Sequence, residues 1–184
     1  MTVSQAARQI LDFWFAATNQ PFWFEKNPDF DAACQVQAEA LHQSAAAGDL
    51  ADWQQTPLGA LALVILLDQI PRNLYRGEAR AFATDAKARA VSRAALDRGF
   101  DRGLTEEQRM FLYLPFEHSE DLADQRRSVA LFASLTGHPD WLPWAERHAE
   151  IIERFGRFPH RNGVLGRIST AEETEFLAGP NSSF

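Results

Sequence analysis

Signals that start and stop helices recur along this chain at roughly one-helix intervals and leave little room for any other structure. Asn27-Pro28-Asp29 combines a capping residue, a proline at the first helical position and an early acid. Thr56-Pro57 repeats the pattern, and Thr84-Asp85 offers another polar cap. Thr105 with Gln108 and Thr170 with Glu173 have capping-box spacing. Ser119 leads into Glu120 and Asp121, acids suited to the positive end of a helix. Gly48, Gly77, Gly99, Gly103 and Gly137 close helical patterns, and Pro71, Pro115, Pro139 and Pro159 interrupt others. These signals predict helices near 3–17, 28–47, 57–70, 85–98, 105–114, 119–136, 141–156 and 171–178. Alternating patterns of strand length are missing. The expected fold class is all-α: antiparallel helix pairs in a single domain over 1–184, about eight helices, with a short, poorly structured tail near 179–184.

The segment Ala60 to Leu67 is apolar on all sides, and Met110 to Leu114 nearly so, which predicts that neighbours enclose both. Neither approaches the ~20 apolar residues of a membrane span. Met1 to Gln9 lacks the basic start and apolar run of a secretory leader. With one cysteine, Cys34, there is no internal disulfide framework. The expected compartment is therefore the cytoplasm. A formal charge of −7, from 18 basic and 25 acidic side chains, argues against nucleic acid as a partner.

Four segments crowd polar or aromatic groups together. Phe13-Trp14-Phe15 and Phe22-Trp23-Phe24 suit core packing, or else one wall of a ligand pocket. In Leu67-Asp68-Gln69-Ile70-Pro71-Arg72-Asn73, an apolar helix runs into polar residues just before a proline. Arg72 and Asn73 either satisfy the carbonyls of a buried helix end or line a ligand site. In the second case Arg72 binds an anion, with Asp68 orienting it and Gln69 beside it. Glu117-His118 precedes the acids Glu120, Asp121 and Asp124. Those acids fit a helix N-terminus, whereas Glu117 and His118 are candidates for a general acid–base pair. Metal-ligand spacing such as Glu-x-x-His is missing there, so no metal is expected.

The last segment runs from Arg147-His148 to Arg167. Residues 146–167 hold five arginines against three glutamates in a chain that is otherwise acidic. Either Arg157, Arg161 and Asn162 form an anion pocket with His160 as an acid–base candidate, or the charges tie this loop to the acids near Glu120. If the segments converge, Asp68, Arg72, Glu117, His118, His160 and Arg161 share one concave surface.

LLDQIPRNLYRG, FLYLPFEHSEDLADQ and RFGRFPHRN resemble the uncharacterised bacterial family known as domain of unknown function 924, and the resemblance runs from about Ile10 to Leu177. It implies an all-helical, tetratricopeptide-like fold and no established activity. Ile70 and Tyr75 stand where that family often carries Phe, and Glu25 where it often carries Gly.

Three readings of function follow. The first is a small anionic-ligand pocket, with an enzymatic role open and Glu117, His118 and His160 as catalytic candidates. The second is a helical scaffold whose arginines clamp an acidic peptide or partner protein. In the third, the polar motifs only lock the fold. No phosphate loop, nucleophile elbow or dinucleotide fingerprint occurs, so no cofactor is expected. Oligomeric state is not legible at this level.

Overall fold

The structure is a computed structural model that describes residues 2–180, 182 and 183. Among these residues it is helical and contains no strand. The helices are α1 (Gln5–Trp14), α2 (Pro28–Ala47), α3 (Pro57–Val64), α4 (Ile70–Leu74), α5 (Asp85–Asp97), α6 (Glu106–Glu117), α7 (Leu122–Phe132), α8 (Leu142–Phe155) and α9 (Ala171–Leu177). None of them is long and apolar enough to cross a membrane.

Caps account for most boundaries. Asn27 Oδ1 accepts the Phe30 N–H at 2.9 Å, and Thr56 Oγ1 accepts the Gly59 N–H at 3.2 Å. Thr105 with Gln108 and Thr170 with Glu173 both close their capping boxes. At α7 the cap is Asp121, two residues beyond Ser119, and it accepts from the N–H groups of Ala123 and Asp124. Gly156 ends α8 at φ 67°, a left-handed conformation that favours glycine. Of the expected tail, Asn181 and Phe184 lie outside the described residues, while Ser182 Oγ donates to Leu177 O at 3.2 Å.

Contacts group the chain into two compact units: Met1–Arg76 with Arg80–Pro115, and Gly77–Ala79 with Phe116–Phe184. In the first, α3 packs on α1 and α5, and α2 packs on α4. Trp14, Leu61, Ile65, Leu66, Ile70 and Phe111 are fully buried there. Trp14 meets Phe30, Phe111 and Trp23 at ring distances of 5.7, 5.5 and 6.4 Å, so Trp14 is the core member of the aromatic segments, whereas Phe24 is exposed. In the second unit, α7 packs on α8. Ile151, Ile152 and Phe158 form its core, with Leu122, Phe155 and Phe176 against them.

The predicted break at Pro71 does not occur. Ile65–Gln69 widen into a π turn, and α4 carries the same rod past the proline. The Ile70 N–H bonds Ile65 O, five residues back, and Pro71 has no N–H to give. The Leu66 and Leu67 carbonyls, which residues 70 and 71 would take in an α-helix, are thus left over. Side chains from elsewhere take them. His42 on α2 donates its Nδ1–H to Leu66 O at 2.8 Å, and Thr84 Oγ1 donates to Leu67 O. Thr84 spends its hydroxyl there and does not cap α5. The rod therefore survives because its surplus acceptors are satisfied by other elements.

Thr84→Val keeps the side-chain shape and deletes that donor. It is expected to cost about 1–3 kcal/mol in urea unfolding, the range for a buried acceptor left unmet. Pro71→Ala returns an N–H to the same stretch of backbone, so the Thr84→Val penalty should shrink in that background. Equal penalties in both backgrounds would show that Thr84 does not serve the Leu67 carbonyl.

Candidate functional site

In the first unit, Asp68 and Gln69 sit in the π turn, 0% and 4% exposed. Gln69 Nε2 donates to Asp68 Oδ2 at 2.6 Å. Arg72 holds Asp85 through two parallel bonds, Nη1 to Oδ1 at 3.0 Å and Nη2 to Oδ2 at 3.1 Å. Its Nη1 also lies 3.5 Å from Asp68 Oδ1 and donates to Asp68 O. Burial disfavours this cation, but Asp68 and Asp85 outweigh it and raise the Arg72 pKa. Asn73 and Arg76 both hold Asp31 of α2, at 2.8 and 2.7 Å to Oδ1. These motif residues tie α2 and α5 to the central rod.

In the second unit, two carboxylates organise the loop after α8. Glu173 takes Arg157 through Nε at 2.6 Å and Nη2 at 2.8 Å, and it also accepts from Asn162 Nδ2 at 3.3 Å. The Arg157 bonds hold the Glu173 carboxyl down to about 2. Glu120 takes Arg167 through two bonds of 2.6 and 2.9 Å, and it accepts the Phe158 N–H at 2.8 Å. Burial works against the Glu120 charge, and Arg167 and the Phe158 N–H overcome it, so its pKa is lowered. Arg167 Nε donates to Asn162 Oδ1 at 3.0 Å, completing the network. Arg157 and Asn162 thus tie the loop to Glu173 of α9 and to its own residues Ile168 and Arg167.

A different arrangement surrounds Phe158, which is 0% exposed. The Arg161 guanidinium, in a side chain only 6% exposed, lies 4.5 Å from the Phe158 ring centroid and donates from Nη1 to His118 O at 3.0 Å. The His160 ring is 5.6 Å from Phe158, and the His148 ring meets it edge-on at 5.5 Å. His118 and His148 are 6.4 Å apart. Glu117, buried, places Oε1 3.4 Å from His148 Nδ1. Glu117, His118, His160 and Arg161, expected as a group, do come together within this unit. Asp68 and Arg72 belong to the first unit.

Burial, followed by the nearby positive groups, pushes His148 down to about 3 and His160 to about 4. Both are neutral at pH 7, so the Glu117–His148 contact is not an ion pair. Trp144 O lies 2.8 Å from His148 Nδ1. A carbonyl only accepts, so Nδ1 carries the proton and Nε2 the lone pair. His148 is the member that sequence reasoning passed over. Its spacing with Ala145, Ile151 and Ile152 puts it on the buried face of α8, a histidine among apolar positions.

No group of three His, Cys, Asp or Glu side chains among the described residues is arranged to hold a metal ion. An open cleft of about 450 Å³ in the first unit is lined by Arg8, Leu11, Asp12, Phe15, Leu58 and Gln108, of which Phe15 alone comes from a segment offered above as a pocket wall.

An all-helical chain carrying these motifs falls within a known class of bacterial proteins. Residues 10–181 match the family described as bacterial protein of unknown function DUF924, and the chain belongs to that family. A solved structure, a protein of unknown function from Agrobacterium tumefaciens, is 44% identical, with a TM-score of 0.88 over 93% of this chain and 96% of that one. No curated protein matches.

An unfolded His148 takes its proton near pH 6.5, whereas in the fold it resists until about pH 3. Between these values the unfolded state binds more protons. The contribution is therefore full above pH 6.5 and is lost as the pH falls toward 3. His148→Gln should flatten the decline in stability between pH 7 and 5 by up to about 1.4 kcal/mol per pH unit. Unfolding in urea at several pH values checks this, and parallel declines in both proteins would refute it.

Proposed function

We propose that the second unit carries a small-anion site centred on Arg161, with His118 and His160 beside it and Glu117–His148 as its acid–base element. The carrying observation is the pair of imidazoles, His148 and His160, and the one buried guanidinium drawn around Phe158, with the His118 ring 6.4 Å from His148. The imidazoles of His148 and His160, neutral at pH 7, respond to an arriving charge. A bound anion raises their pKa values, so binding is coupled to proton uptake. A guanidinium supplies planar donors suited to carboxylate or phosphate oxygens.

In this reading Asp68, Gln69, Arg72, Asn73, Arg157 and Asn162 are positioning residues. Arg72 and Arg157 each meet a carboxylate of this chain at two points. The locked-fold reading is favoured for these six. We also place the protein in the cytoplasm, because Cys34 is a lone buried thiol, its pKa pushed up to about 12.

Imidazole nitrogen NMR during a titration with inorganic phosphate tests the site. The His148 and His160 signals should move toward their protonated values. Arg161→Gln should weaken the response about tenfold or more, while Arg72→Gln leaves it unchanged. If Arg161→Gln does not fold, Arg161→Lys serves, with partial loss expected because an ammonium cannot bond in a fork. Signals that stay fixed, or move equally without Arg161, would remove the proposal.

A further inference from the structure

The open cleft of the first unit is walled by parts of α1, α3 and α6. Arg8, Leu11, Asp12 and Phe15 recur at helical spacing, so they share one side of α1 and its C-terminal end. Leu58 comes from the first turn of α3, and Gln108 from the first turn of α6. The Phe15 ring is braced edge-on against Trp23 and against Phe111, both at 5.6 Å. With Leu11 and Leu58 it makes an apolar lining.

Three polar groups on this lining are unengaged. Among the described residues, the Arg8 guanidinium and the Asp12 carboxylate, both exposed, have no hydrogen-bond or ion-pair partner. They stand one helical turn apart, a spacing at which opposite charges ordinarily meet. Elsewhere the helices use such spacings: Arg109 pairs with Glu106 and Arg147 with Glu150, each at 3.1 Å, and Arg72 Nη1 lies 3.5 Å from Asp68. On α1 the base precedes the acid at i, i+4, the weaker order for a pair. Gln108 is the third. Its Oε1 accepts the Thr105 N–H at 3.1 Å, which leaves the Nε2 donor without a partner among the described residues.

The cleft therefore presents one cation, one anion and one neutral donor beside an apolar surface. A simple anion meets Arg8 and is repelled by Asp12, and a simple cation meets the converse. An uncharged apolar molecule leaves all three polar groups to water. A molecule with both charges close together and an apolar substituent matches the whole lining. At about 450 Å³ the cleft has small-molecule size.

Separately from the anion site of the second unit, we infer that this cleft binds a free α-amino acid with an apolar side chain. The ligand carboxylate takes the Arg8 guanidinium and the Gln108 amide, and its ammonium takes the Asp12 carboxylate. Its side chain lies on Leu11, Phe15 and Leu58.

Amide NMR during a titration with L-leucine reads affinity and place together. Saturable shifts are expected along Arg8 to Phe15 and at Leu58 and Gln108. Isocaproate is leucine without its ammonium, and isoamylamine is leucine without its carboxylate. Each should bind at least about fivefold more weakly than L-leucine, the loss of one charge-assisted contact. Glycine, which keeps both charges and lacks the side chain, should be weaker by a similar factor. Asp12→Asn and Arg8→Gln alter exposed side chains that make no bond in the fold, so both proteins should remain folded. Asp12→Asn should weaken L-leucine at least about fivefold without weakening isocaproate. Arg8→Gln should weaken L-leucine by as much without weakening isoamylamine.

No saturable shift in this region would overturn the site. Isocaproate or isoamylamine binding as tightly as L-leucine would overturn the zwitterion, and glycine doing so would overturn the apolar side chain. Equal losses for L-leucine and isocaproate in Asp12→Asn would show that Asp12 does not meet the ammonium, which also refutes the assignment. None of these results bears on the phosphate response of His148 and His160, so the two sites stand or fall separately.

Discussion

The first unit depends on what happens to the carbonyls of one buried rod. A π turn directly before a proline leaves two acceptors over in the most enclosed part of the chain, where no water reaches them. The remedy fixes the tertiary structure. His42 brings in α2, and Thr84 brings in the segment that enters α5. One turn later, Arg72 grips Asp85 at the start of α5, and Asn73 with Arg76 grips Asp31 near the start of α2. A backbone irregularity thus becomes a hub that specifies which helices lie alongside it. Apolar packing alone leaves such choices degenerate, because many helix arrangements bury similar area.

The second unit solves a similar problem with carboxylates. The chain after α8 is a turn-rich loop that needs external fixation. Glu120 and Glu173 supply it by binding Arg167 and Arg157 at two points each. Glu120 also takes the Phe158 N–H, and Arg167 takes the Phe158 carbonyl at 3.0 Å. Phe158 is thereby held at both ends of its peptide frame. That matters because Phe158 is the surface on which His148, His160 and Arg161 are arranged. Ordering the loop and ordering the candidate site are one event.

The fold class was legible because caps and helical spacing are local. Asn27, Thr56, Thr105 and Thr170 each act within four residues of themselves, and the structure uses all four as expected. The path through Pro71 was not legible. The rule that proline ends a buried helix assumes that nothing else satisfies the freed carbonyl, and here the donors lie on other elements, at His42 and Thr84. The same limit applied to the arginines. Arg72 and Arg157 look available in sequence because Asp85 and Glu173 stand 13 and 16 residues away. His148 was hidden for a different reason: apolar spacing explains its position well enough that its chemistry draws no attention.

What separates a structural polar residue from a candidate site residue in this protein is how its charge is balanced. At Arg72, Arg157 and Arg167, each guanidinium fork is filled by a carboxylate of the same chain, and the hydrogen bonds set the orientation of both partners. Introducing an external anion there means displacing a carboxylate tethered nearby in the same fold, an unfavourable exchange at ordinary ligand concentrations. Around Phe158 the balance is different. The imidazoles of His148 and His160 are kept neutral by burial and by the positive field of their neighbours, so the cluster stores a capacity to take up protons. On the proposed reading, an anion entering that field would be attracted by Arg161 and, by raising the imidazole pKa values, would recruit the positive charge that holds it. The two carboxylate locks fix the frame of Phe158 with groups of the chain itself. The neutral histidines are what would make the proposed site responsive to an arriving anion.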